Sequence, residues 1–120
     1  MIGSIENKLD VTVFITSISQ RDIVIETANY YSKMCSEVII VDEEQPHLDN
    51  AEINAMSTRG ITYFAYKNKA NNNWNTTIYD KRMVAVSQSN NKYVVHSNHD
   101  ERYTYLGLKA CIAELEMIKV

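Results

Sequence analysis

The sequence predicts an α/β fold: an open parallel sheet of four strands in the order 3-2-1-4, with helices on both faces. Three observations carry this. Val11 to Ile15 (VTVFI) and Val38 to Val41 (VIIV) are apolar or β-branched throughout, the pattern of strands covered on both sides. The stretches between such runs carry apolar residues at helical spacing. The two kinds of segment alternate along the chain, and strand–helix–strand units with right-handed crossovers build parallel sheets.

VTVFI is the first strand. Val24, Ala28, Tyr31 and Cys35 then recur at helical spacing, with Ile23, Thr27, Tyr30 and Met34 beside them, so a helix is expected from about Gln20 to Cys35. Ser19, with Asp22 three residues later, resembles a capping box. VIIV is the second strand and ends in Asp42-Glu43-Glu44. Pro46 breaks the chain, and a short helix is expected around Leu48 to Met56. Gly60 precedes a third strand, Ile61 to Tyr66. KNKANNNWN, Lys67 to Asn75, reads as a solvated loop, because asparagine favours turns. Ile78 to Ser87 is helical by spacing, Tyr93 to His96 is a fourth buried strand, and Leu108, Cys111, Ile112 and Leu115 mark a last helix running to the end. These elements make a Rossmann-like order, β-α-β-α-β-α-β-α.

A chain of 120 residues suggests one domain, and 45% hydrophobic content suits an ordinary core. The net charge of -3 argues against a basic nucleic-acid or membrane footprint. No apolar run is long enough to span a membrane, and MIGSIENKLD turns polar too early for a signal peptide. Cys35 and Cys111, each inside an expected helix, read as small buried hydrophobes in a reducing compartment, and the expected location is cytoplasmic.

Function is sought at the strand ends. In an open parallel sheet, ligands bind outside the carboxyl ends of the strands, where strand order reverses. The first strand delivers Thr16, Ser17, Ser19 and Arg21, the second Asp42 and Glu43, and the fourth Asn98, His99 and Asp100. A carboxylate after the second strand can accept bonds from a ribose or base. Hydroxyls at a helix start can take up anionic oxygens. Asn98 and Asp100 are hard oxygen ligands for Mg²⁺ or Mn²⁺, and Lys81 and Arg82 can neutralise phosphate charge.

The segments VTVFITSISQRD, SEVIIVDEE and KRMVAVSQSNNKYVVHSNHDE, in that order, resemble the nucleotide-binding half of an inverting glycosyltransferase of the GT-A fold. The family has a strand with a Thr/Ser turn, an apolar strand ending in Asp, and a tyrosine-led strand leading to an Asp-x-Asp motif. The resemblance covers roughly Val11 to Glu101. It implies a nucleotide-diphosphate sugar as donor, Mg²⁺ or Mn²⁺ as cofactor, an unidentified acceptor, and a nucleotide site at Thr16, Ser17, Ser19, Arg21, Asp42, Glu43, Lys81 and Arg82. The metal motif departs from the family: Asn98-His99-Asp100 has an amide in place of its first carboxylate. The family's acceptor half and catalytic base belong beyond Val120, so no catalytic residue is assigned.

The alternative is a non-catalytic α/β interaction or nucleotide-binding module that has lost the metal site. A flavodoxin-like module would need a glycine-rich phosphate loop, and the only glycines are Gly3, Gly60 and Gly107. A receiver module would need paired acids where Thr16 and Ser17 stand. His96 reads as a core or edge histidine, and a zinc site at His96, His99 and Asp100 has too few ligands.

Overall fold

The structure is a computed structural model. It describes residues 8–16, 21–42, 49–65 and 74–117, and for residues 21, 65 and 74–79 the backbone alone. The elements are β1 (Leu9–Thr16), α1 (Arg21–Ser32), β2 (Cys35–Asp42), α2 (Asn50–Ser57), β3 (Ile61–Ala65), α3 (Trp74–Gln88), β4 (Tyr93–Asn98) and α4 (Tyr105–Met117). The four strands form one sheet in the order β3-β2-β1-β4, with every pairing parallel. The architecture expected from the alternation is therefore the one observed.

β1 and β2 lie at the centre because their sequences are apolar on both faces. Val11, Val13 and Ile15 alternate with Phe14, and Val38 and Ile40 alternate with Ile39 and Val41; all are buried. One face packs against α1, α2 and α4 through Val24, Ala28, Tyr31, Met56 and Leu108. The other packs against α3 through Ala85 and Val84, which meet Phe14, Ile39, Val41, Phe64 and Val94. Chain direction explains the split. The first two crossovers move outward from β1 to β3, and the third returns across the sheet to β4. Right-handed connections then place α3 on the opposite face. Each fully buried Val or Ile contributes about 1.5–3 kcal/mol, so truncating Ile15 or Ile40, both 0% exposed, to Ala costs about 2–5 kcal/mol.

Several boundaries differ from the sequence reading. α1 ends at Ser32, and Cys35 opens β2. Met34 and Cys35 are buried, and their apolarity fits the end of a helix as well as the start of a strand. α3 begins at Trp74, so the last two residues of the asparagine-rich segment are helical rather than loop. β4 is an edge strand, and its residues from Tyr93 to His96 are only half-buried, although Tyr93 and Val95 pack on one core cluster and Val94 on the other. Cys111 is exposed, while Cys35 is buried and burial pushes its thiol up to about 12, which suits a packing residue. Gly60 supplies the turn into β3: its φ is +77°, and a Cβ there would meet the Ser36 carbonyl oxygen at 3.3 Å.

Candidate functional site

Strand order reverses between β1 and β4, because β1 leaves through α1 on one face and β4 is reached through α3 on the other. The carboxyl ends of these strands are in register: Phe14 lies beside His96, and Thr16 beside Asn98. Side chains alternate along a strand, so Phe14, Thr16, His96 and Asn98 belong to the α3 face. His96 stacks on Phe14 at 4.7 Å between ring centres, and its Nε2 lies 2.9 Å from Thr16 Oγ1. Burial holds the imidazole below its ordinary value. The nearby Arg82 guanidinium lowers it further, against a smaller opposing effect of Glu101. Lys81, 3% exposed, lies one turn before Ala85 on the same helix; Arg82 is exposed. Thr16 and His96, with Arg82 near the imidazole, thus bring a hydroxyl and a cationic group to the reversal point, and Lys81 is buried on the same helix.

Asp42 stands apart from this group. It is 3% exposed and accepts a hydrogen bond from Tyr63 Oη at 2.6 Å; Tyr63 packs with the α1-side core. Thr16 and Asp42 therefore serve opposite faces of adjacent strand ends. Asp42 is thus a buried, hydrogen-bonded carboxylate rather than an open one. Ser17, Ser19 and Glu43 lie outside the described residues, and so does the Ser19 capping box. Arg21 opens α1, and its side chain is not among those described.

Asn98 to Glu101 form a turn. The Glu101 N–H donates to the Asn98 carbonyl at 3.1 Å, and the Asn98 N–H donates to Glu101 Oε1 at 3.0 Å. The side chains of Asn98 and Asp100 are exposed and make no hydrogen bond or ion pair among the described residues. Among those residues, no group of three or more His, Cys, Asp or Glu side chains is placed to hold a metal ion. A cation at Asn98 and Asp100 would need further oxygens from a ligand.

The sequence reading missed what holds this turn. Tyr31 is fully buried, and its Oη accepts from the Tyr103 N–H at 2.9 Å, donates to the Glu101 carbonyl at 3.2 Å, and lies 3.0 Å from Ser97 Oγ. Thr27 Oγ1 donates to the His99 carbonyl at 2.7 Å, and Tyr30 Oη donates to the Tyr103 carbonyl at 2.7 Å. Helix α1 thus locks the backbone of residues 99–103. At the other end of the sheet, Glu37 Oε1 accepts from Thr12 Oγ1 at 2.6 Å and from the Asn90 N–H at 2.9 Å, and Oε2 accepts from Asn90 Nδ2 at 2.7 Å. Asn91 Nδ2 donates to Thr12 Oγ1 and to Ser36 Oγ. Burial raises the Glu37 carboxyl, but the bonds from Thr12, Asn90 and Ser89 outweigh it and hold the group below its ordinary value.

Fold and site together define a Rossmann-like α/β domain with a hydroxyl and cationic cluster at its topological switch point. Compared with protein-family models, with curated proteins and with solved structures, the chain matches none of them. Among the described residues no helix is long and apolar enough to cross a membrane.

Proposed function

We propose that this domain binds a nucleoside diphosphate, carried by a sugar, at the carboxyl ends of β1 and β4, in the manner of the donor half of a GT-A glycosyltransferase. The observation that carries the reading is the reversal of strand order between β1 and β4, with Thr16 and Asn98 in register there and Lys81 and Arg82 on the facing helix. Open parallel sheets bind ligands at such points. The cations and hydroxyl suit phosphate oxygens, which favour charge-assisted donors. Mg²⁺ or Mn²⁺ would be held by Asp100 and the Asn98 amide oxygen, and would supply neutralisation of the diphosphate charge. One carboxylate suffices when phosphates complete the shell, but such a pair binds free metal poorly. Glycosyl transfer itself would follow from the same resemblance, and a cytoplasmic location from the two cysteines and the early polar residues.

The alternative reading is a non-catalytic interaction or nucleotide-binding module without metal. Two observations favour it: Asp42 is already bonded by Tyr63, and the 98–101 turn is closed by its own bonds. Thermal unfolding with uridine diphosphate, with and without Mn²⁺, separates the readings. The donor-half reading requires a rise in Tm with nucleotide, a larger rise with both, and loss of the metal increment in Asp100→Ala. A rise with nucleotide that ignores Mn²⁺ supports the metal-free module, and no response to nucleotide removes the switch-point site altogether.

A further inference from the structure

We infer that α4 packs antiparallel against α4 of a second copy of this chain, about a two-fold axis midway between Ala110 and Ala113. The inference stands independently of the nucleotide site. α4 buries only Leu108 fully, with Tyr105 and Ile112 partly covered against the core. Leu106, Ala110, Ala113 and Met117 recur at helical spacing on the side away from Leu108. All four are exposed, Leu106 at 75% and Met117 at 79%. A helix draws most of its stability from packing an apolar face, and this one carries a second such face with no cover among the described residues.

The pattern of that stripe points to a copy of itself. Antiparallel pairing that sets Leu106 against the partner's Met117 also sets Ala110 against the partner's Ala113. The small residues meet at the centre, where they let the helices approach closely, and the large ones close the ends. Charge fits the same register. Lys109 and Glu116 lie on one flank of the stripe, and a two-fold antiparallel pair brings each flank against its own copy. Lys109 then faces the partner's Glu116 twice, within about one helical turn. In the single copy, among the described residues, Glu116 has a 4.0 Å contact with Lys92, both largely exposed, which is a weak competitor. The β4 edge offers no equal route. Tyr103 Oη donates to the His96 carbonyl and Glu101 Oε1 accepts from the Asn98 N–H, so the second half of that edge is blunted.

One helix pair makes a small interface, so a weak, reversible dimer is expected. Sedimentation velocity from about 1 µM to about 1 mM protein covers the range such an interface calls for, with reductant present to keep Cys111 from crosslinking. A monomer–dimer equilibrium is expected. Lys109→Glu should weaken it about tenfold, and the double variant Lys109→Glu/Glu116→Lys should restore it, because the swap recreates both pairs. Ala113→Arg should abolish it while circular dichroism shows the fold kept, since the position is exposed. A chain monomeric throughout overturns the inference, as does a dimer indifferent to Lys109→Glu.

Discussion

The two faces of the sheet handle their polar groups differently. On the α1 face the polar side chains at the carboxyl end are turned inward and hydrogen-bonded. Tyr31 joins Ser97, Glu101 and Tyr103, and Asp42 accepts from Tyr63. On the α3 face the amino end is equally closed, by Glu37, Thr12, Asn90 and Asn91, but the carboxyl end presents Thr16, His96 and Arg82. Both faces belong to the same strands, so strand chemistry alone does not set the difference. What sets it is connection: α1 returns directly over β1 and β2, while α3 arrives from the far edge and meets the sheet at the reversal point. The general lesson is that buried polar networks at strand ends mark where a fold is fastened, and cationic groups at a switch point mark where it can receive an anion.

The largest effect should come from the α1-side lock. Tyr31→Phe keeps the ring but leaves the Tyr103 N–H without its acceptor and removes the bonds to Ser97 and the Glu101 carbonyl, at a cost of about 2–3 kcal/mol in urea unfolding. A loss near zero would mean that the network does not fasten the turn. Asp42→Ala is expected next, at about 1–3 kcal/mol, because it removes a buried carboxylate and the acceptor of the half-buried Tyr63 hydroxyl. If Asp42→Ala weakens uridine diphosphate binding and leaves stability alone, Asp42 belongs to the ligand and the contrast between faces is drawn in the wrong place.

Glu37 supplies a pH test. Its folded carboxyl ionises below its ordinary value of 4.5, so its contribution is fully present above that value and is lost as pH falls through the folded value. Glu37→Gln should lower stability by about 1 kcal/mol at neutral pH and flatten the acid slope below about pH 4.5, followed by denaturant unfolding across pH. An unchanged slope would show that the amino-end clamp is not formed in solution. The smallest stability effect is expected at Arg82. Arg82→Ala, at an exposed position, should change stability by less than about 0.5 kcal/mol, yet weaken uridine diphosphate binding about tenfold by calorimetry.

The central strands and the strand order were legible because VTVFI and VIIV carry their two-sided burial in composition, and because crossover handedness then leaves few arrangements. The partial burial of β4 was not: Tyr93, Val94 and Val95 are as apolar as a central strand, and only their place at the sheet edge leaves them half-buried. Residues that follow a strand can be named from sequence alone, since position after a strand can be counted. Their division between faces was not legible, because the start of the strand register decides it, and Thr16 and Asp42 fell on opposite sides. The locks were invisible for a different reason. Tyr31 meets partners 66 to 72 residues away, and Glu37 meets Asn90 across 53, so no local pattern announces either.

The proposed ligand site is the α3-side carboxyl end, and amide NMR under titration with uridine diphosphate tests that most directly. Saturable shifts should gather at Thr16, Arg82, His96 and Asn98, while Glu37, Asn90 and Asn91 at the amino end stay still. Saturable shifts centred on the Glu37 and Asn90 end, or no saturable shifts at millimolar nucleotide, would contradict it.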